Sequence, residues 1–265
     1  MLKVVEAFSG IGSQAKALEN LYIDHEILYT VDWDINAIIA YDLIHNGKQN
    51  LAKYEKYNKD ELLNILSKYT LSRDGKKPLE YKNLKKYNEE FLRSLYAAID
   101  RTKNLVSITD VKGKDLPDDI DLLTYSFPCQ DLSVAGYWHG NKGGIDRNAN
   151  NRSGMLWEVE RILLERQELN LELPKMLLME NVSNILATRN IENFNDWQNS
   201  LSKMGYYNEV FTLNASNFGI PQKRVRTYML SVLCKTKKER INVEKFFFEN
   251  NLERHFFGKK MKKLE

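Results

Sequence analysis

The sequence predicts an α/β fold with a mostly parallel sheet and helices on both faces. Three observations carry this expectation. Short apolar runs of strand length alternate with amphipathic segments of helical period along most of the chain. Glycine turns and isolated acids stand at the ends of those runs, where sheets of this kind bind ligands. At 265 residues, 43% hydrophobic and 28% charged, the chain can bury a substantial core.

Residues 2–8 read as a buried strand, followed by a glycine turn and a helix over 13–21. A second strand is expected over 26–31 and a second helix over 36–45. Residues from about 48 to 104, expected as a helical insertion in the main domain, are rich in Lys, Tyr, Asn and Glu, with leucines at helical spacing. They read as two surface helices around a break at Asp74-Gly75. Short strands follow at 107–108 and 120–126, then a helix over 156–164 and a buried strand over 175–179. A helix over 194–204 and strands over 209–213 and 226–233 complete the pattern. Residues 1–233 are expected to form the main domain, and 234–265 a basic, Phe-rich helical tail.

Several classes are excluded. No apolar run approaches the roughly 20 residues that span a bilayer, so no membrane partner is expected. The chain enters a strand at once, without a secretory leader, and is expected in the cytoplasm. Cys129 and Cys234 are too far apart and too few for a disulfide framework or a zinc site, and no metal is expected. A net charge of +3 says little about partners. From Gln222 onward, however, thirteen Lys and Arg face five Glu, which suits either a phosphate footprint or a solvated terminal helix.

The chemistry should lie in strand-end loops. In Phe8-Ser9-Gly10-Ile11-Gly12, glycines let the backbone turn sharply and approach a ligand. About 20 residues on, Asp32 can accept from ribose hydroxyls or cap a helix, and Trp33 can pack on an adenine face. Asp110 can accept from an adenine amino group. Cys129, held by Pro128 at a strand mouth, is a candidate nucleophile; His139 is a weak candidate base, and Cys234 is a packing residue. Glu180 ends an apolar strand: unpaired it would hold a proton, paired it would be structural. Arg224 and Arg226 alternate around Val225 and so point to one face.

In order, Phe8-x-Gly10-x-Gly12, Pro128-Cys129-Gln130, Glu180-Asn181-Val182 and Gln222-x-Arg224-x-Arg226 resemble the motifs of the C5-cytosine DNA methyltransferases. The resemblance runs from Phe8 to about Leu233. It implies a Rossmann-like fold dependent on S-adenosylmethionine, with S-adenosylhomocysteine as product and double-stranded DNA as partner. By the same resemblance Cys129 attacks cytosine C6 to give a covalent adduct, and Glu180 protonates or hydrogen-bonds N3. Arg226 holds O2, and Arg224 steadies the catalytic loop and the Glu180 region. The cofactor residues implied are Phe8, Gly10, Ile11, Gly12, Asp32, Trp33, Asp110, Val111, Pro128 and Leu156. Gln130, Ser133, Arg147 and Arg152 are implied as DNA contacts.

The target cytosine must leave the duplex for this chemistry. Residues 132–154 carry Gly136, Gly140, Gly143, Gly144 and Gly154 and read as a moving lid, or as a plain surface loop. The family shows Ser-Arg-Gly before the leucine at 156, whereas this chain has Arg152-Ser153-Gly154. Beyond Leu233 the family continues into a target-recognition domain and a closing Gly-Asn-Ser helix, neither of which is found here. A truncated chain, an unusual minimal protein and a split enzyme are the readings this leaves; the favoured one is a chain that needs a second polypeptide for recognition, docking on the stripe Phe246, Phe247, Phe248, Leu252, Phe256 and Phe257. A tRNA cytosine-5 methyltransferase and an inactive regulatory paralogue are the alternatives.

Overall fold

The computed structural model describes residues 1–129, 132, 145–147 and 152–250, with the backbone alone for 152 and 153. Gln130, Ser133, His139, the glycines at 136, 140, 143 and 144, the Arg152 side chain, and Leu252, Phe256 and Phe257 lie outside the described residues. The chain divides into two compact units, residues 1–126 with 161–173, and residues 127–160 with 174–265.

In the first unit, β1 (Leu2–Ala7) lies between β2 (His25–Val31) and β3 (Leu122–Tyr125). Both pairings are parallel, with Val4 opposite Ile27 on one side and Leu122 on the other. All four residues of β3 are buried, as expected of a parallel strand covered on both faces. α1 (Ser13–Asn20) and α2 (Ile35–Asn46) follow the first two strands. Residues 107–108, expected as a strand, instead form a tight turn: the Ser107 carbonyl accepts from the Asp110 and Val111 N–H groups. Two residues are too few to win a ladder against that local closure.

Residues 48–104, expected to hold two surface helices, form three: α3 (Lys59–Leu66), then past Asp74-Gly75 the short α4 (Tyr81–Leu84) and α5 (Glu89–Arg101). Asn58 and Glu61 form a reciprocal capping box on α3, and Asn88 caps α5. These helices are not merely superficial. Leu62, Leu63, Leu66, Leu84, Leu92 and Leu95 join Ile35 and Ile38 of α2 in a buried cluster. Each fully buried leucine contributes about 1.5–3 kcal/mol, so this segment is a small core in its own right.

Under the first turn of α1, Glu6 is fully buried. Its carboxylate accepts from the Ala15 N–H at 2.9 Å and the Tyr41 hydroxyl at 2.5 Å. Burial pushes its pKa up, and the two hydrogen bonds only partly offset this. The folded value then exceeds the unfolded one, so Glu6 favours the fold fully below the unfolded value and withdraws that support as pH rises through the folded value. Glu6→Gln, which cannot ionise, should therefore gain stability relative to wild type between about pH 4 and pH 7. Urea midpoints of both proteins at the two pH values check this, and a constant difference would refute it.

α6 (Leu156–Glu168) carries two arginines that organise residues 108–118 of the first unit. Arg161 donates to the carbonyls of Ile108 and Val111. Arg166 is fully buried and donates to the carbonyls of Gly113, Leu116, Pro117 and Glu172 and to Asp118. A side chain at Gly113 would meet the Arg166 backbone nitrogen at 2.8 Å, so only glycine permits this approach.

In the second unit, β6 (Val225–Leu233) is antiparallel to both β4 (Met176–Val182) and β5 (Tyr206–Asn214). The expected parallel pairing thus belongs to the first unit. Here β5 and β6 are joined by a connection too short for a crossover, so they form a hairpin. One face of the ladder, including Leu177, Met179, Asn181, Thr227, Met229 and Ser231, is buried. α7 (Thr188–Lys203) buries Phe194, Trp197 and Leu201. α8 (Lys237–Glu249), opened by a Thr236–Glu239 capping box, realises the helical tail; its Phe247 is buried and stacks on Tyr207 at 5.8 Å.

Candidate active site

In the first unit the glycine turn and the tip of β2 converge. The Asp32 carboxylate accepts from the Gly10 N–H at 2.8 Å and the Asp34 N–H at 2.9 Å. The capping role falls to Asp34, which accepts from the Asn36 and Ala37 N–H groups at the start of α2. Asp32 is therefore no cap. An ionised carboxylate offers about four acceptor sites; the Trp33 N–H takes a weaker share of what these two leave, and the rest can accept from a ribose hydroxyl. Burial raises its pKa against these hydrogen bonds, so Asp32 protonates more readily on acidification than an ordinary aspartate. Gly10 has φ +53°, and a side chain there would meet nothing within 4 Å; the space above the turn is open. Ile11 is 58% exposed beside it, and Trp33 is half-buried against the insertion's core.

The other expected cofactor positions differ in their surroundings. A Cβ on Gly12 would fall 2.1 Å from His45 Nε2 and 2.6 Å from the Tyr41 ring, so Gly12 serves close packing within the protein. Val111 and Leu156 are 2% and 0% exposed, which leaves neither side chain a surface to offer a ligand. Asp110 is exposed on the turn after Ser107. Phe8, half-buried, has φ +56° where β1 gives way to the glycine turn.

In the second unit Glu180 pairs with Arg226, whose Nε lies 3.0 Å from Oε1; Arg224 Nη2 is 3.8 Å from the same oxygen. Register explains the pairing. Glu180 is opposite Tyr228, and Arg226 is two residues along the same face of β6. The side chains of Glu180 and Arg226 are 22% and 20% exposed, against 50% for Arg224. The paired alternative for Glu180 is thus the one the structure shows. Burial, followed by the Glu180 charge, raises the pKa of Tyr228.

The Pro128-Cys129 loop is tied to the same strand end. Asn181, next to Glu180, donates through Nδ2 to the Phe127 carbonyl at 3.1 Å. Three residues past Cys129, the carbonyl of buried Leu132 accepts from Asn184 and, at 3.1 Å, from Arg189. The Cys129 carbonyl accepts from the Leu132 N–H, and the residue is half-buried. Asn181 belongs to the Glu180-Asn181-Val182 motif, but its bond to Phe127, and the roles of Asn184 and Arg189, are not evident from the sequence. The only signal was a cluster of amide side chains just after the strand-ending acid.

Arg147, expected on phosphate, is engaged within the protein. It makes a two-point contact with Glu160, at 2.5 and 2.7 Å, and lies 3.6 Å over the Trp157 ring. Burial raises the Glu160 carboxyl, but hydrogen bonds from Arg147 and Ser200 outweigh it and hold the pKa low. A guanidinium so committed would have to give up an ion pair to reach a phosphate. Cys234, as expected, is a packing thiol, its pKa raised by burial. Among the described residues no group of three or more His, Cys, Asp or Glu is placed to hold a metal, and no helix is long and apolar enough to cross a membrane.

Comparison with known proteins agrees with this geometry. Residues 82–264 match the profile of the C-5 cytosine-specific DNA methylases. The orphan methyltransferase M.SssI of Spiroplasma monobiae is 42% identical over 236 residues, 88% of this chain and 59% of that protein. The type II methyltransferase M2.ScrFI of Lactococcus lactis subsp. cremoris is 37% identical over 238 residues, covering 88% and 61%. The chain thus spans about 60% of the length of these relatives. Among solved structures, the Dnmt2 methyltransferase of S. pombe is similar in fold, with a TM-score of 0.53 at 21% identity over 89% of this chain and 53% of that one.

Proposed function

The chain belongs to the C-5 cytosine-specific DNA methylase family, and from that premise we propose that it methylates C5 of cytosine in double-stranded DNA. The observation that carries this is the Glu180–Arg226 pair, held at one strand end with the Cys129 loop through the Asn181 bond to Phe127. A carboxyl and a guanidinium side by side match the adjacent N3 and O2 atoms on the cytosine edge.

In this reading the Cys129 thiolate adds to C6, and the ring electrons move toward C5 as a proton taken from solvent passes through the Glu180 carboxylate to N3. Arg226 hydrogen-bonds O2 and steadies Glu180 in the position that N3 requires, while Arg224 supports the same carboxylate from farther out. S-adenosylmethionine, when bound, supplies an electrophilic methyl group for C5. Return of the N3 proton by way of Glu180, loss of the C5 proton to solvent and departure of the thiolate restore the ring. The cytosine is taken up unstacked, because C5 and C6 are not both reachable inside the duplex.

Phe8, Gly10, Ile11, Asp32, Trp33 and Asp110 are the residues proposed to hold the cofactor. The open face of Gly10 and the unused acceptor sites of Asp32 fit a ribose-bearing ligand. A second polypeptide supplying target recognition is also proposed. Phe246 and Phe248 support it, being 58% and 75% exposed on α8 while Phe247 packs inward. Adding candidate companion chains should raise methyl transfer; full sequence-specific activity of this chain by itself would refute that part.

Transfer of labelled methyl groups to duplex DNA, with tRNA as the competing substrate, tests the main reading; labelling of tRNA alone would overturn it. Glu180→Gln keeps the shape of the side chain but cannot deliver a proton, and should lower single-turnover methylation by about 10²–10⁴-fold. Cofactor affinity should be unchanged, as checked by calorimetry with S-adenosylhomocysteine.

A further inference from the structure

His45 stands in the last turn of α2, with its ring against the glycine turn. Its Nε2 is 3.1 Å from the Ile11 carbonyl oxygen, and its Nδ1 is 3.3 Å from Glu19 Oε1 on α1. The side chain is 8% exposed, and its ring lies 4.4 Å from that of Tyr41. Tyr41 in turn donates to Glu6, which holds the Ala15 N–H in the first turn of α1. The ring fills the space that a side chain on Gly12 would need. One residue on α2 thus touches the turn, the helix after it and the network beneath it.

The two partners decide the chemistry of the ring. A main-chain carbonyl and an ionised carboxylate are both acceptors only. A neutral imidazole has one N–H to give, whereas the imidazolium has two. Both contacts are satisfied together only by the protonated ring. The charged groups around it are Glu19 and, on the other Glu19 oxygen, Lys16 at 2.6 Å, both from α1, with Glu6 of β1 behind Tyr41. Lys16 occupies Oε2 and leaves Oε1 to His45.

We propose that His45 is a positioning residue for the cofactor turn: its imidazolium bridges the Ile11 carbonyl to Glu19 and locks residues 9–13 in the shape that keeps the face of Gly10 open. The proposal rests on the reading of this turn as the cofactor loop.

Hydrogen exchange followed by mass spectrometry over residues 9–16, without ligand and corrected for intrinsic rates, reads the lock directly. His45→Phe keeps the ring packing on Tyr41 but has no N–H, and should exchange about tenfold faster than wild type over this segment. His45→Gln, retaining one donor, should fall between the two, and protection in the α3–α5 core reports that each variant is folded. S-adenosylhomocysteine should bind His45→Phe about tenfold more weakly than wild type, with partial recovery in His45→Gln. Equal protection in wild type and His45→Phe would overturn the proposal. If protection responds as expected but wild type binds no S-adenosylhomocysteine, His45 still locks the turn and the cofactor reading is what fails.

Discussion

Cys129→Ser is expected to lower methyl transfer to duplex DNA by at least about a thousandfold, leaving the fold and S-adenosylhomocysteine binding intact. The reason is the nucleophile itself. A thiol ionises near neutral pH and its anion is a soft, strong nucleophile, whereas a serine hydroxyl remains protonated unless a base is beside it. The contacts placing this loop come from the backbone, through the Phe127, Cys129 and Leu132 carbonyls, so the substitution disturbs none of them. Single-turnover methylation gives the rate. Gel analysis with 5-fluorocytosine DNA gives the adduct, which should form with wild type and not with Cys129→Ser. A serine variant keeping a tenth of the activity would remove Cys129 from the chemistry.

Arg166→Met is expected to cost the fold roughly 3–5 kcal/mol, the largest loss of stability foreseen for one substitution here. All five N–H groups of this buried guanidinium are used, four on carbonyl oxygens and one on Asp118. Methionine fills most of the volume and removes the charge. The carbonyls of Gly113, Leu116 and Pro117 are then left without their donor, and each unsatisfied buried acceptor costs about 1–3 kcal/mol. Arg166→Lys should recover little, since an ammonium has three donors and none of the planar fork. Urea unfolding of the three proteins measures this. A loss below about 1 kcal/mol for Arg166→Met would show that the loop finds other donors.

The strands were legible because a buried strand is apolar, and Glu180 breaks the run Met176-Leu177-Leu178-Met179, although β4 itself continues to Val182. The shared face of Arg224 and Arg226 followed from two-residue alternation, which β6 preserves at Glu180. The core of the insertion was less visible, because its leucines are diluted by Lys and Tyr and their partners lie on α2. The anchors Asn181, Asn184 and Arg189 could not be read in advance. Each bonds to a backbone carbonyl, and a carbonyl leaves no mark in a sequence. The partner of Arg147 was missed for a related reason: a basic residue in a glycine-rich stretch resembles a phosphate ligand until Glu160 and Trp157 are seen around it.

The antiparallel register of β4 and β6 has a consequence for how this gene can change. Glu180 and Arg226 meet because Val182 is opposite Arg226, and hydrogen bonding within the ladder maintains that alignment whatever joins the strands. Residues can therefore be added to or deleted from the turn between α7 and β5, or the one between β5 and β6, without separating the pair. A single-residue insertion between Arg226 and Tyr228 is different, since it would rotate Arg226 to the opposite face while the rest of β6 keeps its place. Length variation should be tolerated in those turns and purged from a few codons of β6.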